Sequence, residues 1–305
     1  MTPCLFVSDL HGRFDRYETL LRVIEEEKPA AVFLGGDLLP MGALPLPGGR
    51  GDFLLDWLGP RLEALRERLG VAYPRFLAIF GNDDPRAEVN SLAELERRGL
   101  GRHAHGRCLD VAGVSVYGYA CVPPTPFMLK DWERYDVSRF ADPGCVSPED
   151  GHRSVPVPEE EAKWGTIAGD LEALAGTDDL SSAVFLFHAP PYRSALDRAA
   201  LDGRTVDHAP VDLHVGSIAI RRFIESRQPR LTLHGHVHES ARLTGAWQER
   251  IGRTVCLSAA HDGPELALVR FDLERPEAAT RELLSPPGAS RRSGAGPGGA
   301  AGRRR

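Results

Sequence analysis

The chain has 305 residues, of which 42% are apolar and 26% charged, with a net charge of −6. That length suits one large domain or two small ones, and the acidic balance argues against a nucleic-acid-binding body. The cysteines, Cys4, Cys108, Cys121, Cys145 and Cys256, are scattered and form no CxxC pair, which excludes a disulfide framework or a structural zinc knuckle.

The opening "MTPCLFVSDLHG" runs into an apolar strand with no basic leader or cleavage site, and no stretch nears the ~18 apolar residues of a membrane span. A cytoplasmic protein with no membrane partner is the expectation. Strand-like "CLFVSD" (4–9) precedes a helix over 16–28 that turns Leu20, Leu21 and Ile24 inward. A second strand, "AAVFLGGD" (30–37), leads to a helix over 52–70 interrupted near Pro60. "RFLAIFGND" (75–83) is the third strand, and Ser91 is placed to N-cap a helix over 91–99. This order predicts an α/β domain with a largely parallel first sheet.

A hairpin is expected over 107–120. Residues 121–160 are proline-rich and lack periodicity; a loop of that length faces substrate or acts as a lid more often than it idles. A helix over 160–175, a strand over 183–190, a helix over 216–229 and a strand over 230–238 follow, with antiparallel strands across 241–274. The Gly/Pro/Arg-rich end, 286–305, reads as a disordered basic tail. The domain expected to carry function is therefore 1–285, with an insert at about 121–160.

Each predicted strand ends in a group that can bind a metal. Asp9 and His11 follow the first, Asp37 the second and Asn82 the third; His188 ends "FLFH", and His236 and His238 end "HGHVH". Sites in open α/β sheets gather outside the carboxyl ends of strands. Imidazole, carboxylate and amide oxygen together suit Mn, Fe or Zn. Seven ligands exceed what one ion uses, so two divalent ions sharing a carboxylate is the economical arrangement. His234 alternates with His236 and His238, so it is expected to point the same way from deeper in the strand, with packing or orientation of a ligand favoured over ligation.

Asp9-x-His11, Gly36-Asp37, Gly81-Asn82-Asp83-Asp84, His188 and Gly235-His236-x-His238 occur in that order. The pattern resembles the calcineurin-like metallophosphoesterase superfamily. "TPF" (125–127), "HAPPY" (188–192) and "GHVHES" (235–240) are similar to the bacterial and archaeal phosphoesterases related to the Icc cyclic-nucleotide phosphodiesterase. The resemblance implies two facing mixed β-sheets flanked by helices, a four-layer sandwich. It implies Asp9, His11 and His238 on a first metal, Asn82, His188 and His236 on a second, and Asp37 bridging them. Two cations ~3.5–4 Å apart clamp a phosphate and make hydroxide available near neutral pH.

Asp83 stands where many members have a leaving-group histidine. Its carboxyl could protonate a leaving oxygen if its pKa were raised, so Asp83 and Asp37 are the candidate catalytic residues. Arg13 and Arg193 could reach a phosphate or be merely exposed. His214 precedes a helix start at 216–217 whose N-terminus could meet phosphate oxygens; a surface histidine is the simpler view. Trp132 and Tyr135 could stack a base, but burying the insert is the favoured reading, and Asp207, His208 and Asp212 read as solvated loop residues.

The resemblance implies a hydrolase of small-molecule phosphate esters, phosphodiester or nucleotide. A lipid-pathway pyrophosphatase is the enzymatic rival, although that family carries Arg where this chain has Asp83. A non-catalytic metal-binding scaffold of the same fold is the other alternative, and the filled set of ligand positions weighs against it.

Overall fold

A computed structural model describes residues 1–40 and 51–285; the 286–305 tail lies outside the described residues. β1 (Pro3–Val7), β2 (Ala31–Gly35), β3 (Arg75–Ile79) and β4 (Arg102–His103) run parallel. β13 (Leu266–Asp272) adds antiparallel to β1, and β14 (Thr280–Leu284) closes that edge. The second sheet has a parallel centre of β6 (Val114–Tyr119), β7 (Val184–Phe187), β10 (Leu231–His234) and β12 (Thr254–Ser258). β5 (Arg107–Val111) and β11 (Gln248–Ile251) are its antiparallel edges. β8 (Thr205–Val206) and β9 (Ala209–Pro210) form a separate small ribbon.

β2, β7 and β10 are buried at every position, which is what strands covered on both faces require. β2 faces β7 and β3 faces β6, so the two sheets meet at their parallel centres. The result is a mixed α/β sandwich of two six-stranded sheets flanked by helices, as the resemblance implies. α1 (Phe14–Glu27) buries Tyr17, Leu20, Val23 and Ile24 along one stripe, with Leu21 only partly covered. No described helix is long and apolar enough to cross a membrane.

Several boundaries differ from expectation. The helix over 52–70 splits into a π-helical turn, Phe53–Leu58, and α2 (Gly59–Leu69), with Pro60 in the first turn of the latter. α3 (Val89–Arg97) starts before Ser91, which does not cap it; the Ser91 hydroxyl donates to Asp52 instead. The expected 160–175 helix is two, α4 (Glu159–Trp164) and α5 (Ile167–Ala175), broken where the Thr166 hydroxyl accepts the Gly169 N–H at 3.1 Å. α6 (Ile218–Arg227) agrees with the reading. Segment 241–274 begins in a short helix, α7 (Ser240–Thr244), and its strands divide between the two sheets.

The 121–160 segment is irregular up to α4, yet Lys130, Asp131, Trp132 and Glu133 are buried. Trp132 packs against Phe80, His103 and His105. Trp132 and Tyr135 are thus packing residues, not an exposed stacking wall.

Candidate metal centre

Every residue of the centre sits just past the carboxyl end of a parallel strand. β1 delivers Asp9 and His11, β2 delivers Asp37, β3 delivers Asn82, β7 delivers His188, and β10 delivers His236 and His238. Because the sheets meet centrally, these ends converge. The turns are laced together: Asp9 N–H donates to Gly36 O at 2.9 Å, His11 N–H to Asp37 O at 2.8 Å, and Gly235 N–H to His188 O at 2.9 Å.

Asp9, His11, Asp37 and His236 have φ of 56°, 47°, 51° and 73°. Non-glycine residues enter this left-handed region rarely and at a cost. Four such residues in one cluster mark a backbone bent to aim side chains. Gly81 has a different necessity, because a Cβ there would strike the Asp37 carboxylate and the His188 imidazole.

The ligand-capable atoms fall into two groups among the described residues: Asp9, His11, Asp37 and His238, and Asp37, His188 and His236. Asp37 belongs to both. His238 Nε2 lies 3.2 Å from Asp9 Oδ1 and 3.2 Å from His11 Nε2. His188 Nε2 lies 3.2 Å from Asp37 Oδ2, and His11 Nε2 lies 3.9 Å from the same oxygen. Asn82 is buried beside Gly81, with its Oδ1 facing no hydrogen-bond donor.

The polar atoms fit cations. Asp9 Oδ2, Asn82 Oδ1 and His188 Nε2 are buried without hydrogen-bond partners, and such groups are costly unless something charged or polar meets them. The His188 Nδ1–H donates to Gly35 O at 2.8 Å, which leaves Nε2 as the nitrogen that faces Asp37. Burial would lower the His188 pKa, but Asp37 and then Asp9 outweigh it and raise it to about 10. Burial is likewise outweighed at His238, which Asp9 and Asp37 raise to about 9. Burial, reinforced by His188, pushes His236 down to about 3. Burial alone would raise Asp9, yet the surrounding histidines hold its carboxyl well below the carboxylate range. The pocket's field favours positive charge at its centre.

Neighbouring groups hold the candidate ligands in place. His236 N–H donates to Asp9 Oδ1 at 3.0 Å, and Asp83 N–H donates to Asp37 Oδ1 at 2.9 Å. Burial and then Asp37 push the Asp83 carboxyl upward. Asp84 is fully buried and accepts from the backbone N–H groups of Leu38, Leu39 and Gly81 at 2.8–3.0 Å, tying the second loop to the third. Burial and Asp37 push its carboxyl up to about 7 against the pull of those donors. This role was missed; the acidic residue closing "GNDD" was its only sequence signal.

Other candidates lie elsewhere. His234 does not share the face of His236 and His238. The strand ends at His234, whose ring stacks on Phe187 and engages Ala189 O and Thr232 Oγ1. The Arg13 guanidinium is paired with Asp15 at 2.7 Å. His214 Nδ1 contacts buried Asp197 Oδ1 at 2.7 Å, and Asp197 Oδ2 also accepts the Arg193 N–H. The Arg193 guanidinium lies over Tyr192. The N-terminus of α6 is not open to a phosphate, because Asp136 of the insert accepts from Ser217 Oγ, Ile218 N and Ala219 N at 2.5, 2.6 and 3.1 Å.

Two facing mixed sheets with a His/Asp cluster at their shared strand ends define a metallophosphoesterase-type fold. A model of the calcineurin-like phosphoesterase family matches residues 2–240, and the chain belongs to that family. The crystal structure of TT1561 from Thermus thermophilus is similar, with a TM-score of 0.55 and 18% identity over 92% of this chain and 98% of that one. Another solved chain aligns with a TM-score of 0.58 and 18% identity over 93% and 99%. At these identities the likeness is one of fold. No curated protein matches the chain in sequence.

Proposed function

We propose that the chain, through its 1–285 domain, is a two-cation hydrolase of small phosphate esters, acting on phosphodiesters or nucleotides. In this reading Asp9, His11 and His238 hold one divalent ion, Asn82, His188 and His236 hold the other, and Asp37 serves both. The observation that carries it is a pair of ligand clusters that share Asp37, one of Asp9, His11, Asp37 and His238 and one of Asp37, His188 and His236, with Asp9 Oδ2 and Asn82 Oδ1 buried and unpartnered. A scaffold has no need to keep such atoms unsatisfied.

When bound, the cations neutralise phosphate charge and lower the pKa of water. The chain's own task is to hold the donors ready. Gly35 O fixes the His188 tautomer, the His236 amide anchors Asp9, and the Asp83 amide anchors Asp37. Such hydrogen bonds set the orientation and basicity of ligands.

The test is nitrophenol release from a chromogenic phosphodiester and its monoester counterpart with added Mn²⁺, for wild type, Asp37→Ala and His236→Ala. Diester cleavage is expected to need the metal and to vanish in both variants. An Mn²⁺-loaded wild type inert on both esters would sink the hydrolase reading and favour the scaffold.

A further inference from the structure

Asp83 lies against Asn82 and His11, one candidate ligand of each proposed ion. Its Oδ1 accepts the Asn82 Nδ2–H at 2.9 Å, and its Oδ2 lies 3.7 Å from His11 Nδ1. Asn82 has two chemically different ends, and only its oxygen can ligate a cation. Turning the amide over would set Oδ1 against the Asp83 carboxylate, so Asp83 dictates that Nδ2 faces it. The amide oxygen is then left buried without a protein partner.

The same logic applies to His11. Its Nε2 faces His238 and Asp37, and its Nδ1 is buried with no hydrogen-bond partner, the nearest carboxylate being Asp83 at 3.7 Å, a charge contact and not a hydrogen bond. A carboxylate behind an imidazole favours the proton on the near nitrogen and the lone pair on the far one.

We propose that Asp83 is a positioning residue for the metal centre, orienting the Asn82 amide through a hydrogen bond to one oxygen and biasing the His11 imidazole through the charge of the other. This rests on the two-cation reading. It assigns Asp83 a task different from protonating a leaving group, since it acts through Asn82 and His11 and not on substrate.

The experiment is calorimetric titration of metal-stripped wild type, Asp83→Ala and Asp83→Asn with Mn²⁺, with circular dichroism to establish that each is folded. Wild type is expected to bind two ions. Asp83→Ala should lose on the order of 10–100-fold in affinity. Asp83→Asn keeps a carbonyl oxygen for Asn82 Nδ2 but presents no carboxylate to His11. It should hold the Asn82 ion near wild-type strength and weaken the other, and it carries the test if the alanine variant misfolds. Two unaltered binding steps in Asp83→Ala, with turnover alone reduced, would overturn the positioning role and leave the two-cation reading standing. A wild type that binds no Mn²⁺ would overturn both.

Discussion

The Lys130 ammonium lies 2.5 Å from Glu133 Oε2, and neither side chain reaches solvent. Glu133 also accepts from the Thr125 N–H at 2.7 Å and the Thr125 hydroxyl at 2.5 Å, while Lys130 Nζ donates to Thr125 O at 2.9 Å. This closed knot holds a stretch of the insert that has no regular structure. Breaking one side of a buried pair strands the other charge, at about 3–5 kcal/mol. Lys130→Met should therefore destabilise by that order in urea denaturation, and Lys130→Met/Glu133→Gln should recover much of it. A single variant within ~1 kcal/mol of wild type would show that Glu133 needs no cation, since typical surface changes fall within ~0.5 kcal/mol.

Gly81 offers a steric probe of the centre. Its φ is not in the left-handed region, so the obstacle to an alanine there is steric: its Cβ would strike the Asp37 carboxylate, the Asp37 backbone nitrogen and the His188 imidazole. Asp37 and His188 would have to separate from the positions they share across 3.2 Å. Gly81→Ala should stay folded by circular dichroism and retain much less Mn²⁺ than wild type, read by elemental analysis after desalting. Full metal content would mean that the ligand cluster relaxes freely, contrary to its tight packing.

What could be read from the chain depended on how local the cause was. Asp9, Asp37, Asn82 and His188 were legible because each follows an apolar run that is buried on both faces, and parallel strands present their carboxyl ends together. His234 was misplaced because strict alternation assumes that the strand continues. The backbone instead leaves the sheet after His234 and turns through positive φ at His236.

Distant partners were hidden for a different reason. Ser91 has the chemistry of a helix cap, yet Asp52 claims its hydroxyl. The α6 N-terminus could meet a phosphate on sequence grounds, yet Asp136, far earlier in the chain, fills it. The insert showed no periodicity because its buried positions include Lys130, Asp131 and Glu133, and hydropathy cannot recognise polar groups that satisfy one another.

His105 sets a pH limit on this arrangement, away from the metal centre. Its Nδ1 accepts the Ala120 N–H at 2.9 Å, so protonating that nitrogen would break the bond. Burial, with smaller contributions from His103, Arg134 and Arg86, lowers its pKa from 6.5 to about 3. The sign follows from linkage: the folded pKa is depressed, so below pH 6.5 the unfolded chain takes up the proton first. The stability from a neutral His105 is complete above that pH and is lost progressively as pH falls toward 3. By pH 4.5 the loss is on the order of 2 kcal/mol, allowing for partial exposure of the ring. His105→Asn keeps an acceptor for Ala120 without a titrating group, so its stability should fall less between pH 7 and pH 4.5 in denaturant titrations. Parallel acid limbs for the two proteins would show that the His105 ring protonates in place without disturbing the Ala120 contact.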